Sequence, residues 1–481
     1  MSPSTRAGGT SGGLRAAREA LSGTPAWLVG GALRDRLLGR ESSDLDVVVA
    51  GDPAAAARAV SRAGGRAACF ALSEEFGSWR VVARDRSWQL DVEPMRAASI
   101  EEDLALRDFT VNAIAEPLAG GDAIDPLGGR ADLDAGRLRM AGPGAFSDDP
   151  LRVLRLARIA IELELAPEEQ TAAAARAAAP SLSRVSAERV FAELRQMIAG
   201  DRARAGLELL EQLGASAVVL PELDALGGVE QNRFHHLDVR GHTLEVLDRV
   251  VELTAGGGGG ESARAIAPHG EQVAALLAEP LADEMTRGEA LRWGALLHDA
   301  AKPLTREVRE PDGRVTFIGH DARGAELARS LLGRLRASER TRAHVAALVR
   351  HHLHLGFLVH EPQPLARRTV FGYLRTCSPV EVDVTLLSVA DRLATRGDRA
   401  GEAIEAHLLL ARAMLADALR WREQGPPPAL LRGDELGAEL GIGPGPRVGE
   451  LLEALAEAQY AGEVRTRDQA LRYARERLRS L

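Results

Sequence analysis

The sequence predicts an α+β protein, with a strand-bearing head over residues 14–140 and helices from there to the C-terminus. Two features predict it. Residues 47–49, 80–83 and 89–92 are short strand-like runs separated by alanine-rich helical stretches such as 53–63. From Pro150 the apolar period becomes helical, with Leu151, Leu154, Leu156, Ala157 and Ile161. Composition agrees: 45% of residues are apolar but only 4% aromatic, so the cores must be built of Leu, Ala and Val. That favours helices.

The head opens with the segment that carries most chemistry. Residues 27–29 form an apolar strand, and Gly30 and Gly31 let the chain turn tightly and approach a ligand with no Cβ in the way. Asp44 and Asp46 then lie two apart on the strand Asp44-Leu45-Asp46-Val47-Val48-Val49. Side chains alternate on a strand, so both carboxylates leave one face while Leu45, Val47 and Val49 pack on the other. Two adjacent acids repel unless a cation lies between them, which suits Mg²⁺ with phosphate oxygens completing its shell. The amides of the glycine turn are placed to hold those phosphates. A hairpin with two solvated acids is the plainer alternative. The Gly-Gly turn with Arg34-Asp35 ahead of the acids makes it the weaker one.

This block resembles the signature of the polymerase-β-like nucleotidyltransferases, and within them the bacterial class II tRNA nucleotidyltransferase and poly(A) polymerase family. Leu106-Arg107-Asp108-Phe109-Thr110-Val111-Asn112-Ala113 is similar to the family's Arg-Arg-Asp-Phe-Thr-x-Asn-Ala segment. Asp125-Pro126-Leu127-Gly128-Gly129 resembles the next motif. Asp148-Asp149-Pro150-Leu151-Arg152 resembles the Glu-Asp-x-x-Arg motif that reads the incoming base. The resemblance implies a polymerase-β-like head with a mixed sheet, an all-α neck, an HD helical domain and a helical tail. It implies that Asp44 and Asp46, with Asp91 as third carboxylate, hold Mg²⁺, and that Gly30, Gly31 and Arg34 hold the triphosphate. Arg107 and Asp108 would lie beside the nucleotide, Asn112 would face its sugar, and Asp149 with Arg152 would select the base. Arg152, Arg155 and Arg158 recur at near-helical spacing and make one basic face. Two residues depart from the pattern: Leu106 replaces an arginine, and Asp148 replaces a glutamate.

A second constellation follows. His242, His298-Asp299, His320, His351-His352 and Asp391 lie on predicted helices in that order. The order resembles the HD metal-dependent phosphohydrolase superfamily, which implies a divalent metal and phosphoester hydrolysis at RNA ends. His242, His298, Asp299 and Asp391 match its core ligands, and His320 with His351 or His352 the extra ligands of two-metal forms. Lys302, the only lysine, is a candidate phosphate contact. His344 and His354 fit no slot and are expected at the surface.

The expected organisation is a disordered tail at 1–13, the head to 140, a helical neck at 141–225, the HD domain at 226–425 and a tRNA-binding tail at 426–481. A flexible glycine linker is expected at 255–260. The net charge of −9 does not announce a nucleic-acid binder, so any basic surface must be local. Cys69 and Cys377 make no disulfide framework, which fits the cytoplasm. No apolar run reaches membrane-spanning length. The expected activity is addition of CCA to tRNA from CTP and ATP. CC-only or A-only addition, poly(A) synthesis, or phosphohydrolysis as the main activity are the alternatives.

Overall fold

The computed structural model describes residues 7–40, 42, 44–73, 77–232, 236–255, 260–397 and 400–479. It forms two compact units, Met1–Val185 with Gly206–Val219, and Ser186–Ala205 with Leu220–Leu481. The helical segment at 141–225 is thus shared between the units. Residues 256–259 of the expected glycine linker lie outside the described residues.

The first unit is built on six strands, β1 (Ala26–Val29), β2 (Asp44–Val49), β3 (Ala68–Ser73), β4 (Ser78–Val82), β5 (Gln89–Pro94) and β6 (Ala115–Pro117). Their order across the sheet is β3-β4-β5-β2-β1-β6. β2 and β5 run parallel and the other neighbours antiparallel, so the sheet is mixed. Helices Ala7–Ala20 and Pro53–Ala63 pack on each other and cover the face to which Leu45 points. Asp52 caps the second of these, accepting from Ala54 N at 2.8 Å.

The helix at Ala7–Ala20 corrects the expected tail, whose residues 7–13 belong to it. The cause is packing. A Cβ on Gly13 would stand 2.9 Å from Leu45 Cδ1 and 3.0 Å from Trp88, so a small, unpromising residue lets the helix seat on the sheet. Residues 1–6 lie outside the described residues.

On the opposite face the strand alternation does not expose everything that Asp46 shares a face with. Val48 is buried with Val29, Ile100, Leu104, Ala113 and Ala115. That face is therefore covered over the C-terminal half of β2 and open only where Asp44 is exposed and Asp46 half-buried. Full burial of one such Val or Leu is worth about 2 kcal/mol, so this lid is firmly held.

The second unit is helical. Val239–Thr254 packs on Arg287–Leu297 and Glu381–Ala394, while His320–Arg334 packs on Glu339–His351. Val246, Val250, Leu291, Ala295, Leu348 and Leu386 belong to its core. The last three helices, Gly433–Leu440, Pro446–Tyr460 and Arg467–Arg479, enclose a smaller core around Leu436, Leu451 and Leu471. Cys69 and Cys377 are free thiols. Among the described residues no helix is long and apolar enough to cross a membrane.

Candidate active sites

In the head, strand register brings the predicted acids together. Asp46 lies opposite Asp91 on β5, and Asp91 lies opposite Arg80 on β4. Asp91 is held by two hydrogen bonds from Arg80, both 2.7 Å. Asp44 starts β2 at the exposed rim. Burial pushes the Asp46 carboxyl up to about 7, the negative charges of Glu93 and Asp91 add to this, and Arg107 partly offsets it. Among the described residues, the oxygens of Asp44, Asp46 and Asp91 do not gather into a three-ligand group within 4.8 Å. The acids still suit a divalent cation: they are hard oxygen donors, and their mutual repulsion is what a cation would relieve.

The glycine turn closes on these acids. Gly30 has φ 74°, and a Cβ there would stand 2.8 Å from Asp46 Oδ2 and 3.6 Å from Arg107 Nη1. Helix Gly31–Leu37 begins at once and carries Arg34 inward. Arg34 Nη1 donates to Asn112 Oδ1 at 2.8 Å, and Asn112 Nδ2 donates to Asp108 Oδ1 at 3.0 Å. Arg155 Nε donates to Asp108 Oδ2 at 2.9 Å. Burial alone would raise the Asp108 carboxyl, but Arg155, Asn112 and the Phe109 amide outweigh it and hold it at about 2. One network thus joins Arg34, Asn112, Asp108 and Arg155.

Arg107 is less satisfied. It reaches Glu93 only at 3.6 Å and Asp103 at 3.9 Å, and its Nε and Nη2 are buried without a hydrogen bond. Arg152 is the opposite case. It donates to the carbonyls of Leu106 at 2.9 Å and of Arg107 and Ala145 at 3.1 Å. Arg158 pairs with Glu162 at 2.9 Å, and Asp149 accepts from the Leu151 amide at 3.2 Å. The basic face at Arg152, Arg155 and Arg158 is therefore largely engaged within the protein. Sequence reading missed Arg80 and Glu93. The period of two on β5 was the available signal for Glu93, which follows Asp91 on the same face.

In the second unit the predicted ligands converge from five segments. His242 Nε2 lies 3.0 Å from Asp391 Oδ1, and His298 Nε2 lies 3.0 Å from Asp299 Oδ2. His320 Nε2 is 3.4 Å from Asp299 Oδ1 and 3.3 Å from His352 Nε2. The donors form two groups, His242 with His298 and Asp391, and Asp299 with His320 and His352. His298, His320 and His352 each direct Nδ1 at the carbonyl three residues earlier, at 2.8, 2.6 and 2.7 Å. A protonated Nδ1 would leave each Nε2 lone pair available to a metal. Burial and the neighbouring His298 and His320 push His352 down to about 3, so it is neutral and ligand-competent at pH 7. Histidine and carboxylate donors in this arrangement fit divalent cations.

Two expectations change here. His351 is outside both groups and meets His354 edge to face at 5.0 Å, because successive residues of a helical turn point about 100° apart and His352, still in αR conformation, takes the inward direction. His344 is buried, not at the surface, with Nε2 3.7 Å from Asp383 Oδ1. Asp383 already takes Arg287 Nε at 2.8 Å, and this buried pair draws the imidazole in. Lys302 is buried and bonded to Asp299 Oδ2 at 2.7 Å and Gln231 Oε1 at 2.6 Å. It lines the same cavity as Asp299.

Fold and sites together define a nucleotidyltransferase head carried with a histidine–aspartate metal domain. Residues 26–139 match the poly A polymerase head domain, 164–226 the probable RNA and SrmB-binding site of polymerase A, and 269–396 the HD domain. His242 precedes the last match, and only the fold brings it to the site. An A-adding tRNA nucleotidyltransferase of Deinococcus radiodurans is 40% identical over 92% of this chain and 94% of its own length. A CC-adding tRNA nucleotidyltransferase of Thermus thermophilus is 35% identical over 92% of each. A solved complex of a CCA-adding enzyme with ATP shares the fold, with TM-score 0.62 and 19% identity over 97% of this chain and 94% of that one. The chain belongs to the tRNA nucleotidyltransferase and poly(A) polymerase family, with an HD domain.

Proposed function

We propose that the head extends tRNA 3′ ends with the nucleotides of the CCA end, taking CTP and ATP with Mg²⁺. The observation that carries this is Arg107. Its Nε and Nη2 are buried without a hydrogen bond, and its Nη1 comes within 3.6 Å of the Cβ position at Gly30, so the guanidinium has donors to spare for triphosphate oxygens at the glycine turn. Mg²⁺ bound by Asp44, Asp46 and Asp91 would activate the RNA 3′-hydroxyl and neutralise the leaving pyrophosphate. Gly30, Gly31 and Arg34 hold the triphosphate in this reading, and Asn112 faces the sugar while Asp108 fixes it. Asp149 accepts from the amino group that C and A share, and Arg152 donates to ring acceptors. Arg152 must exchange backbone carbonyls for the base to do so.

Addition of the terminal A alone is the second reading, favoured by the 40% identity to an A-adding relative. Purified protein is incubated with tRNA lacking CCA and with tRNA ending in CC, with CTP and ATP separately and together. CCA on the first substrate supports the main reading. A single A on the second substrate alone selects the alternative. No extension under any condition overturns both.

For the second unit the reading is metal-dependent phosphoester hydrolysis at RNA ends. Two candidate ligand groups, with His298 of one 3.0 Å from Asp299 of the other, support it. A divalent cation there supplies Lewis acidity and an activated water.

A further inference from the structure

Four of the candidate ligands of the second unit make up only part of the lining of a cavity of about 950 Å³. They are Asp299, His320, His352 and Asp391. A phosphate needs little of such a volume, which falls within the range of about 300–1,000 Å³ that encloses drug-sized ligands.

The rest of the lining differs in chemistry from these four. Arg314, on the strand Arg314–Thr316, and Arg392, next to the ligand Asp391, both line the cavity. Neither guanidinium has a carboxylate partner among the described residues, whereas Arg309 and Arg350 nearby are both paired with aspartates. The rim carries Phe357, 66% exposed, and Ile318, 81% exposed. Large apolar side chains at that exposure lose hydration free energy that an occupant would recover. Phe317 does not share this role, since its ring lies 5.3 Å from Lys302 Nζ. Phe357 makes no ring or cation contact among the described residues.

Candidate metal ligands, arginines without carboxylate partners and an exposed aromatic ring around one cavity select for one ligand class. We propose that Phe357 is a base platform, and that the cavity takes nucleoside phosphates in preference to phosphoesters lacking a base. The phosphate meets the candidate ligands, Arg314 and Arg392 receive further phosphate oxygens, and the base stacks on Phe357. Every base has a π-face, so the platform confers preference for a nucleotide without choosing its sequence. This rests on the phosphohydrolase reading, and Phe357 is a positioning residue in it.

The test uses full-length protein with Phe357→Ala, which is exposed and leaves the core intact. Adenosine 3′-monophosphate and glycerol 2-phosphate are compared as substrates. Binding of the nucleotide to metal-free protein is measured by calorimetry. The expected result is a rise of about 10-fold or more in KM and Kd for the nucleotide, with kcat unchanged. Glycerol 2-phosphate kinetics should not move, and Phe357→Trp should restore the nucleotide values. Equal effects on both substrates, or unchanged nucleotide Kd and KM, overturn the platform and leave the exposed rim to a protein partner. If wild type hydrolyses neither compound, the phosphohydrolase reading falls, and the calorimetric comparison still decides whether Phe357 holds a base.

Discussion

Gly30 and Asp46 stand so close that a Cβ on the glycine would lie 2.8 Å from the carboxylate oxygen. The turn therefore serves the acid as much as the phosphates. With φ at 74°, Gly30 also lies where an L side chain costs roughly 1–2 kcal/mol. Gly30→Ala is expected to displace Asp46 and to reduce nucleotide transfer about 100-fold or more. Hydrolysis by the second unit should continue unchanged. Steady-state transfer rates with CTP and ATP check this. Near-wild-type transfer would show that Asp46 need not be held by the turn.

Leu106 occupies the position where the resemblance expects arginine. It is 42% exposed, caps the helix Ile100–Ala105, and gives its carbonyl to Arg152. An arginine there meets no core and has its charge at a helix C-terminus, which favours a cation. Leu106→Arg is expected to lower KM for both CTP and ATP by about 3- to 10-fold, with kcat changed little. Unaltered KM values would mean that Arg107 alone supplies the charge the triphosphate needs at this edge.

The head was legible where a local rule held. The alanine-rich run at 53–63 formed a helix, alternating residues formed β2, and Gly30-Gly31 announced a turn. What escaped depended on partners distant in sequence. Nothing local marks Arg80 as the residue that binds Asp91, since that pairing comes from β4 and β5 register. Gly12 and Gly13 read as a flexible tail because the Trp88 they pack against lies far along the chain. In the second unit the histidines and aspartates that converge were readable in order, but the choice between adjacent His351 and His352 was not. Successive residues of a helical turn point about 100° apart, and packing decides which of the two faces inward.

Asp108 gives the head a measurable acid response. Its carboxyl lies at about 2, below the ordinary 3.8, because Arg155, Asn112 and the Phe109 amide favour the ionised form over the penalty of burial. The sign follows: the stability it contributes is present above about pH 4 and is lost as pH falls through 2. The depression corresponds to about 2 kcal/mol. Asp108→Asn should therefore be less stable than wild type at pH 7, with the gap narrowing by about that amount towards pH 2. Urea unfolding of both proteins across this range measures it. A gap independent of pH would mean that the Arg155 pair does not depress the carboxyl.

His352 and His351 separate the metal ligands from their surroundings. His352 Nε2 is 3.3 Å from His320 Nε2, with Nδ1 on the Val349 carbonyl, whereas His351 meets His354 edge to face, outside both ligand groups. His352→Ala should lower divalent-metal affinity at least 10-fold, and His351→Ala should leave it within about twofold. Metal content after dialysis against a graded chelator, read by elemental analysis, gives both affinities. A bound metal stabilises the state that holds it, so added metal should also raise the Tm of wild type and His351→Ala more than that of His352→Ala. If His351→Ala loses the metal while His352→Ala keeps it, the ligand groups are misassigned.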